Sequence, residues 1–277
     1  MLRTAQMLCA VACCAVSPAW AAQAGDTVLQ EGWLHIIPRS TSTPLETDLK
    51  PSLLGSLLGV QDHFTSPDTS ARVGNSDTAV LILTHFFSPQ LALQAVGGIP
   101  VHFRVYGQGV VTPTGLLGRF LNVDLGAPAN NPLVTVREWT PATVLQYYFG
   151  PPGSTWHPFV GIGVSYTWYS EITLNSNFQQ QINSQFGRLL ALSSGKPGPT
   201  HASATASREW NGVFNAGLNY DLSRHWGFSA ALSYAPLQTT AHILVKAADG
   251  TVLSDSRTHL SQNALVPSLL VNYRFHF

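Results

Sequence analysis

The chain has 277 residues and balances 14 Lys+Arg against 14 Asp+Glu, so a nucleic-acid partner gripped by a charged face is unsupported. Only 10% of residues are charged, below the ~25% usual in soluble globular domains, while 45% are hydrophobic. Few charges with ordinary apolarity suit a protein that turns part of its surface to lipid.

Residues 1–24 have the layout of a secretory signal: Arg3, a short apolar core over residues 7–16, and small residues at Ala19 and Ala21. The expected signal peptide is 1–21, with cleavage as late as residue 24 because Ala22 and Ala24 repeat the small-residue pattern. One domain, 25–277, follows. All three cysteines, Cys9, Cys13 and Cys14, fall inside the signal, so no disulfide or cysteine metal site is expected. The signal's core is shorter than the ~20 apolar residues of a spanning helix, and no run of 18 apolar residues occurs later. An exported periplasmic protein or an outer-membrane barrel remains.

Strands follow in order. Residues 28–38 set Leu34 and Ile36 against Glu31, Trp33 and His35, alternation that puts successive side chains on opposite faces. Residues 39–77, rich in Ser, Thr, Pro and Gly, read as a long loop. Residues 78–87 are apolar on both faces, and Ser88-Pro89-Gln90 turns the chain into residues 91–104. There Leu91, Leu93, Ala95, Ile99, Val101 and Phe103 read as a single face, with a bend at Gly97-Gly98. A second long loop covers 107–137, a fourth strand 139–149 and a short turn from Gly150 to Gly153. In the fifth strand, 158–169, Val160, Ile162, Val164, Tyr166 and Trp168 oppose Gly161, Gly163, Ser165 and Thr167. A third long loop, 170–207, holds a short helix near 177–192. The sixth strand is 210–222; the seventh begins at Trp226 and its register can run on to Lys246. A last loop over 247–257 leads to the eighth, 263–277.

Long and short connections alternate, and aromatics gather at strand ends (Phe87, Tyr147, Trp168, Trp210, Trp226, Phe275). Both features predict an all-β fold: an eight-stranded antiparallel transmembrane β-barrel with short periplasmic turns, long external loops and interfacial girdles. The final strand puts Leu265, Pro267, Leu269, Val271, Tyr273, Phe275 and Phe277 on one face, a stripe that suits hydrocarbon. Its Tyr273, Phe275 and Phe277 resemble the C-terminal assembly signal of bacterial outer-membrane barrels, which implies the assembly machinery and outer-membrane lipids as partners.

Residues 140–150 (TPATVLQYYFG) and 157–167 (HPFVGIGVSYT) resemble paired motifs of the outer membrane protein W (OmpW) family, as do residues 212–226 and the ending Asn272-Tyr273-Arg274-Phe275. His157 stands where the family has Arg, two residues follow the usual last Phe, and the loops at 39–77, 107–137 and 170–207 are longer. The resemblance implies a narrow hydrophobic lumen that takes up small apolar molecules in the cell outer membrane.

Eight strands leave an interior wide enough for side chains or one small ligand, not a wide aqueous pore. The inward register gives Val80, Ile82, Phe86, Val96, Val144 and Phe159 as lumen-lining residues, with Gln94, His102, Tyr148, Asn215 and Asn272 on the same face. Towards the periplasm, Gln146, Asn219, Asp221, Arg274 and His276 form a candidate polar network, with an Asp221–Arg274 contact because buried charges must be paired. Two rival functions remain: a non-transporting surface-recognition barrel using its long loops, and a lipid A-modifying barrel enzyme. No His has an adjacent Ser/acid signature, so no catalytic residue is assigned, and no cofactor or metal is implied.

Overall fold

The computed structural model describes residues 22–51, 61–113, 122–151 and 153–275. Residues 1–21, where the signal peptide is expected, and His276 and Phe277 lie outside the described residues. In chain order the elements are β1 (Thr27–Ile36), β2 (Ser40–Ser42), β3 (Leu45–Leu49), β4 (His63–Ser66), β5 (Ser70–Val73), β6 (Ser76–Phe86), β7 (Leu91–Gly98), β8 (Val101–Gln108), β9 (Val110–Val111), β10 (Val123–Asp124), β11 (Val134–Trp139), β12 (Ala142–Tyr148) and β13 (Trp156–Leu174). A helical segment follows as α1 (Ser176–Gln181), a π-helical turn (Ile182–Gly187) and α2 (Arg188–Ser193). The chain then completes β14 (His201–Ala206), β15 (Glu209–Asp221), β16 (Trp226–Lys246) and β17 (Val252–Phe275).

Eight of these strands close on themselves, all antiparallel, in the order β1-β6-β7-β12-β13-β15-β16-β17 and back to β1. The seam joins the two ends of the chain, with Thr27 opposite Phe275. Closure leaves no sheet edge within the ring, the condition for strands to stand in hydrocarbon.

The side-chain period is two throughout the ring. On β6, Val80, Ile82, Thr84 and Phe86 are buried inside while Leu81 and Leu83 face out. On β13, Val160, Ile162 and Val164 are exposed outward, opposite Gly161, Gly163 and Ser165. Gly163 is required by close approach: a Cβ there would stand 2.1 Å from the backbone oxygen of Thr143 on β12.

Aromatic side chains bracket the outward apolar band. Phe87, Tyr147, Phe149, Trp156, Trp226 and Phe275 ring one end; Trp33, Trp210 and Tyr234 mark the other, with Tyr166 and Trp168 on β13. Trp156 and Tyr166 lie ten residues apart on one strand. At ~3.3 Å per residue and a tilt of ~40° that is about 25 Å of height, the thickness of an apolar barrel band.

Beyond the second girdle the wall keeps rising, and here the loop expectations are corrected. Residues 39–77 add β2 and β3 to the side of β17, with β4 beyond β3 and β5 beside β8. Residues 107–137 carry β9, β10 and most of β11, and β14 pairs with β16. The last connection is only residues 247–251, because β16 and β17 run as one hairpin of 21 and 24 residues. These strands are rich in Ser, Thr and Asp because they stand above the apolar band, so the alternation that marks the lower strands fades.

The helical segment caps this extension. Asn175 Oδ1 accepts from the backbone N–H groups of Asn177 (2.9 Å) and Phe178 (3.3 Å), a side-chain N-cap. Phe178, Ile182 and Phe186, spaced by four, turn one stripe into a core with Leu45, Phe64, Leu125, Leu174 and Val245.

Candidate functional site

The ring encloses a cavity of about 450 Å³ faced by side chains of all eight strands. Its periplasmic floor is a polar deck centred on Gln30. Gln30 Nε2 donates to Asn272 Oδ1 (2.9 Å) and Ser229 Oγ (3.2 Å), and its Oε1 accepts from Thr84 Oγ1 (3.0 Å) and Gln94 Nε2 (3.1 Å). Both donors and both lone pairs of one amide are thereby used. Asn272 Nδ2 donates to Ser229 Oγ at 2.6 Å, and Ser229 Oγ donates to Asn219 Oδ1 at 2.5 Å. The deck crosses six of the eight ring strands: β6, β7, β1, β17, β16 and β15.

One layer lower, Arg274 Nη2 donates to both carboxylate oxygens of Asp221 at 3.0 Å, and His157 Nε2 lies 3.5 Å from Asp221 Oδ2. All three are buried, so the charges are compensated in place. Beside them Phe86, Tyr148 and Phe159 pack ring on ring, with centroids 5.0 and 5.3 Å from Tyr148.

At the opposite end the cavity meets a second one of about 110 Å³, almost wholly apolar, inside the external extension. Phe103, Glu138 and Gln262 face both.

The wall itself is interrupted. β7 pairs with β12 as far as Val96 opposite Ala142, and β8 pairs with β11 from Val101 opposite Glu138. Between these points lie four residues, 97–100, on one side and three, 139–141, on the other. Pro100 and Pro141 both fall in the gap, and neither has an N–H to give to a ladder. The lining of the large cavity includes Gly97, Ile99 and Pro100 on one side of this gap and Trp139 and Pro141 on the other. Ile99 is 64% exposed there.

The extra residue also swaps faces, since a slip of one sends every following side chain to the other side. This corrects the expected register beyond Gly97: Phe103 points into the interior at 2% exposure, while His102 is on the outer surface, its Nε2 accepting from Arg137 Nε at 3.2 Å.

Of the six residues read as lumen-lining, Val80, Ile82, Val96, Val144 and Phe159 face the large cavity. Phe86 does not: it lies beneath the deck, against Tyr148, Val28 and Ala22, because it is two residues below Thr84 on β6. Gln146 stands above the Asp221–Arg274 pair, its Oε1 accepting from Tyr148 Oη at 2.8 Å. Tyr273 and Phe275 are on the outer face at the periplasmic rim, rings 4.8 Å apart and edge to face. Sequence reasoning missed Gln30, Thr84, Ser229 and His157 as floor residues. A polar side chain on the inward face of β1, in step with Leu34 and Ile36, was the available signal for Gln30. Among the described residues no three His, Cys, Asp or Glu side chains gather as a metal ion would require.

Known proteins resemble this chain in both sequence and fold. The model of the OmpW family matches residues 24–188. Outer membrane protein W of Vibrio cholerae serotype O1 is 23% identical over 239 residues, covering 85% of this chain and 86% of that protein. Outer membrane protein W of Salmonella typhi is 27% identical over 118 residues, 43% of this chain and 47% of that one. The crystal structure of the outer membrane protein OprG from Pseudomonas aeruginosa superposes with a TM-score of 0.67 at 20% identity, covering 94% of this chain and all of that one.

Proposed function

The chain belongs to the OmpW family and lies in the cell outer membrane, and from that premise we propose that its barrel passes small hydrophobic molecules through an apolar lumen and releases them sideways. What supports the reading is the pairing of a polar, hydrogen-bonded floor with an interrupted wall. The Gln30 deck and the Arg274–Asp221 pair set hydrogen-bonded polar groups across the axial path, which an apolar solute has no means to replace. The gap at 97–100 and 139–141 borders the same cavity beside the stacked Trp139 and Trp168, and in this reading it is the side exit. Val80, Ile82, Val96 and Val144 make the route from cavity to gap apolar. Tyr273 and Phe275, on the lipid face of the closing strand, serve barrel assembly in this reading.

A hydrolytic role gains no support from the lumen, where Ser165 Oγ has no hydrogen-bond partner among the described residues and therefore no base to activate it. A recognition surface built on the external extension is the second reading, favoured by the buried core under α1 and α2 that makes that extension a folded body.

Flux of an apolar and a polar solute of similar size into lipopolysaccharide-containing proteoliposomes separates these readings, with empty vesicles as baseline. Acceleration of the apolar solute alone is expected. Equal acceleration of both means a general pore, and acceleration of neither favours the recognition surface.

A further inference from the structure

On the external side of the gap the wall is built from β5, β8 and β11, and its two faces differ. Inward, Phe103 and Val105 of β8 share a core with Val73 of β5 and Val136 of β11. The alternate residues turn outward: His102, Arg104 and Tyr106 on β8, Arg72 on β5, Thr135 and Arg137 on β11. Register gathers them, since Arg137 stands opposite His102, Thr135 opposite Arg104, and Arg72 opposite Tyr106. With neighbouring strands ~5 Å apart, the three arginines form one patch on the outer surface.

The patch holds more positive charge than it neutralises. Among the described residues its one ion pair is Arg137 with Glu171, and neither Arg72 nor Arg104 has an acidic partner. Asp77 on β6 is engaged instead by Trp33 and His35 of β1. Two of the guanidiniums are held in place. Arg137 Nε donates to His102 Nε2 at 3.2 Å, and its Nη1 meets Glu171, which a β-bulge on β13 and a φ of 50° set apart from the regular pleat. Arg72 lies over the Tyr106 ring, 4.8 Å from its centre. Arg104 stands in the row between them and is exposed.

The height of the patch is set by Trp139, which stacks on Trp168 with ring centres 5.7 Å apart. Arg137 is two residues further out on β11, and Arg104 is opposite Thr135, four residues out. At ~3.3 Å per residue and a tilt of ~40°, these positions are about 5 and 10 Å above the tryptophan. Interfacial tryptophans sit at the headgroup boundary, and the headgroup layer on each side of a bilayer is roughly 5–8 Å deep. The arginines are therefore at the level of lipid phosphates.

We propose that this panel seats a phosphorylated glycolipid of the outer leaflet, its phosphate between Arg104 and Arg137 and Arg72 a further cation beyond them. A guanidinium fork matches a pair of phosphate oxygens, and two forks on adjacent strands hold one phosphate from two sides. Thr135, opposite Arg104 and two residues from Arg137, brings a hydroxyl donor to the same place. Below the arginines the surface turns apolar, with Trp139 and the exposed Ile99. A soluble anion would use the cations alone, whereas a lipid uses both the cations and the apolar surface beneath. The site is on the outside of the wall and is independent of the uptake reading.

The full barrel in zwitterionic detergent micelles is titrated with diphosphoryl lipid A and with the same lipid stripped of its phosphates. Bound lipid is read by native mass spectrometry. The phosphorylated lipid is expected to bind roughly tenfold more tightly or better. An arginine at an anionic lipid surface is worth a factor of about five, so Arg104→Gln/Arg137→Gln is expected to lose about 25-fold. Arg257→Gln removes a cation that Glu46 and Asp48 already neutralise, and is expected to keep the native affinity. Should the double variant fail to fold, judged by heat-modifiable gel mobility, Arg104→Gln alone has no ion pair to lose and is expected to lose about fivefold. Equal affinity for the two lipids, native affinity in a folded Arg104 variant, or an equal loss in Arg257→Gln overturns the proposal. Displacement of lipid A by inorganic phosphate at matched concentration also overturns it, because the patch would then be a free-anion site.

Discussion

Gln30 and Asn272 are 242 residues apart and stand directly opposite each other across the seam that closes the barrel, joined by a 2.9 Å hydrogen bond inside the lumen. The bond ties the first and last ring strands, and the same Gln30 amide holds Thr84, Gln94 and Ser229. Gln30→Leu would keep the volume but strand four buried partners, at a cost of roughly 1–3 kcal/mol for each group that finds no substitute. The expected loss is about 3 kcal/mol in urea unfolding followed by tryptophan fluorescence. Thr84→Val removes one bond of the deck and should lose about 1 kcal/mol. Equal losses for the two variants would mean that the deck is a set of separate contacts rather than one network centred on Gln30.

Arg274 and Asp221 lie beneath that deck, and the wider prediction is electrical. Arg274→Ala leaves the buried Asp221 carboxylate without the cation now 3.0 Å away, and with His157 Nε2 at 3.5 Å. Breaking a buried pair by removing one partner costs roughly 3–5 kcal/mol, so water and counter-ions should enter the floor. Single-channel conductance in planar bilayers should rise several-fold, and the double variant Asp221→Asn/Arg274→Met should stay closer to the native value. Unchanged conductance in Arg274→Ala would show that the pair is structural and does not seal the axis.

The ring was legible in the sequence because lipid on the outside and a narrow lumen on the inside impose opposite demands at every second residue. Val160-Ile162-Val164 against Gly161-Gly163-Ser165 is that demand written out. Asp221 and Arg274 were readable as partners for a related reason: two charges on inward faces near one rim have few places to go but to each other. Gln30 was not, because a polar residue on β1 is unremarkable beside Glu31 and His35 until the ring shows which face is inside. The face swap at Gly97 to Pro100 was hidden for a stronger reason. One strand's pattern shows a bend, but only the count of residues on the partner, three against four, reveals a slip. The external strands were read as loops because above the apolar band the outer solvent is water, and their Ser- and Thr-rich segments carry little periodicity.

The interrupted wall makes the most demanding prediction. If the β7–β12 ladder continued past Val96 and Ala142, Gly97 would stand opposite Pro141. A side chain fits at Gly97, where the nearest atom to an added Cβ is the Leu81 oxygen at 4.0 Å. At Gly98 it would not, since the Ala79 oxygen would be 2.7 Å away. The double variant Gly97→Cys/Pro141→Cys therefore places a disulfide across the lips of the gap, and all three native cysteines lie within residues 1–21. Oxidation should bring the flux of an apolar solute into lipopolysaccharide-containing vesicles down to the empty-vesicle baseline, and reductant should restore it. Ion conductance should be the same in both redox states, because the floor is untouched. Undiminished flux through the cross-linked barrel, with the disulfide verified by mass spectrometry, would move the exit to the axis and assign the gap a purely structural role.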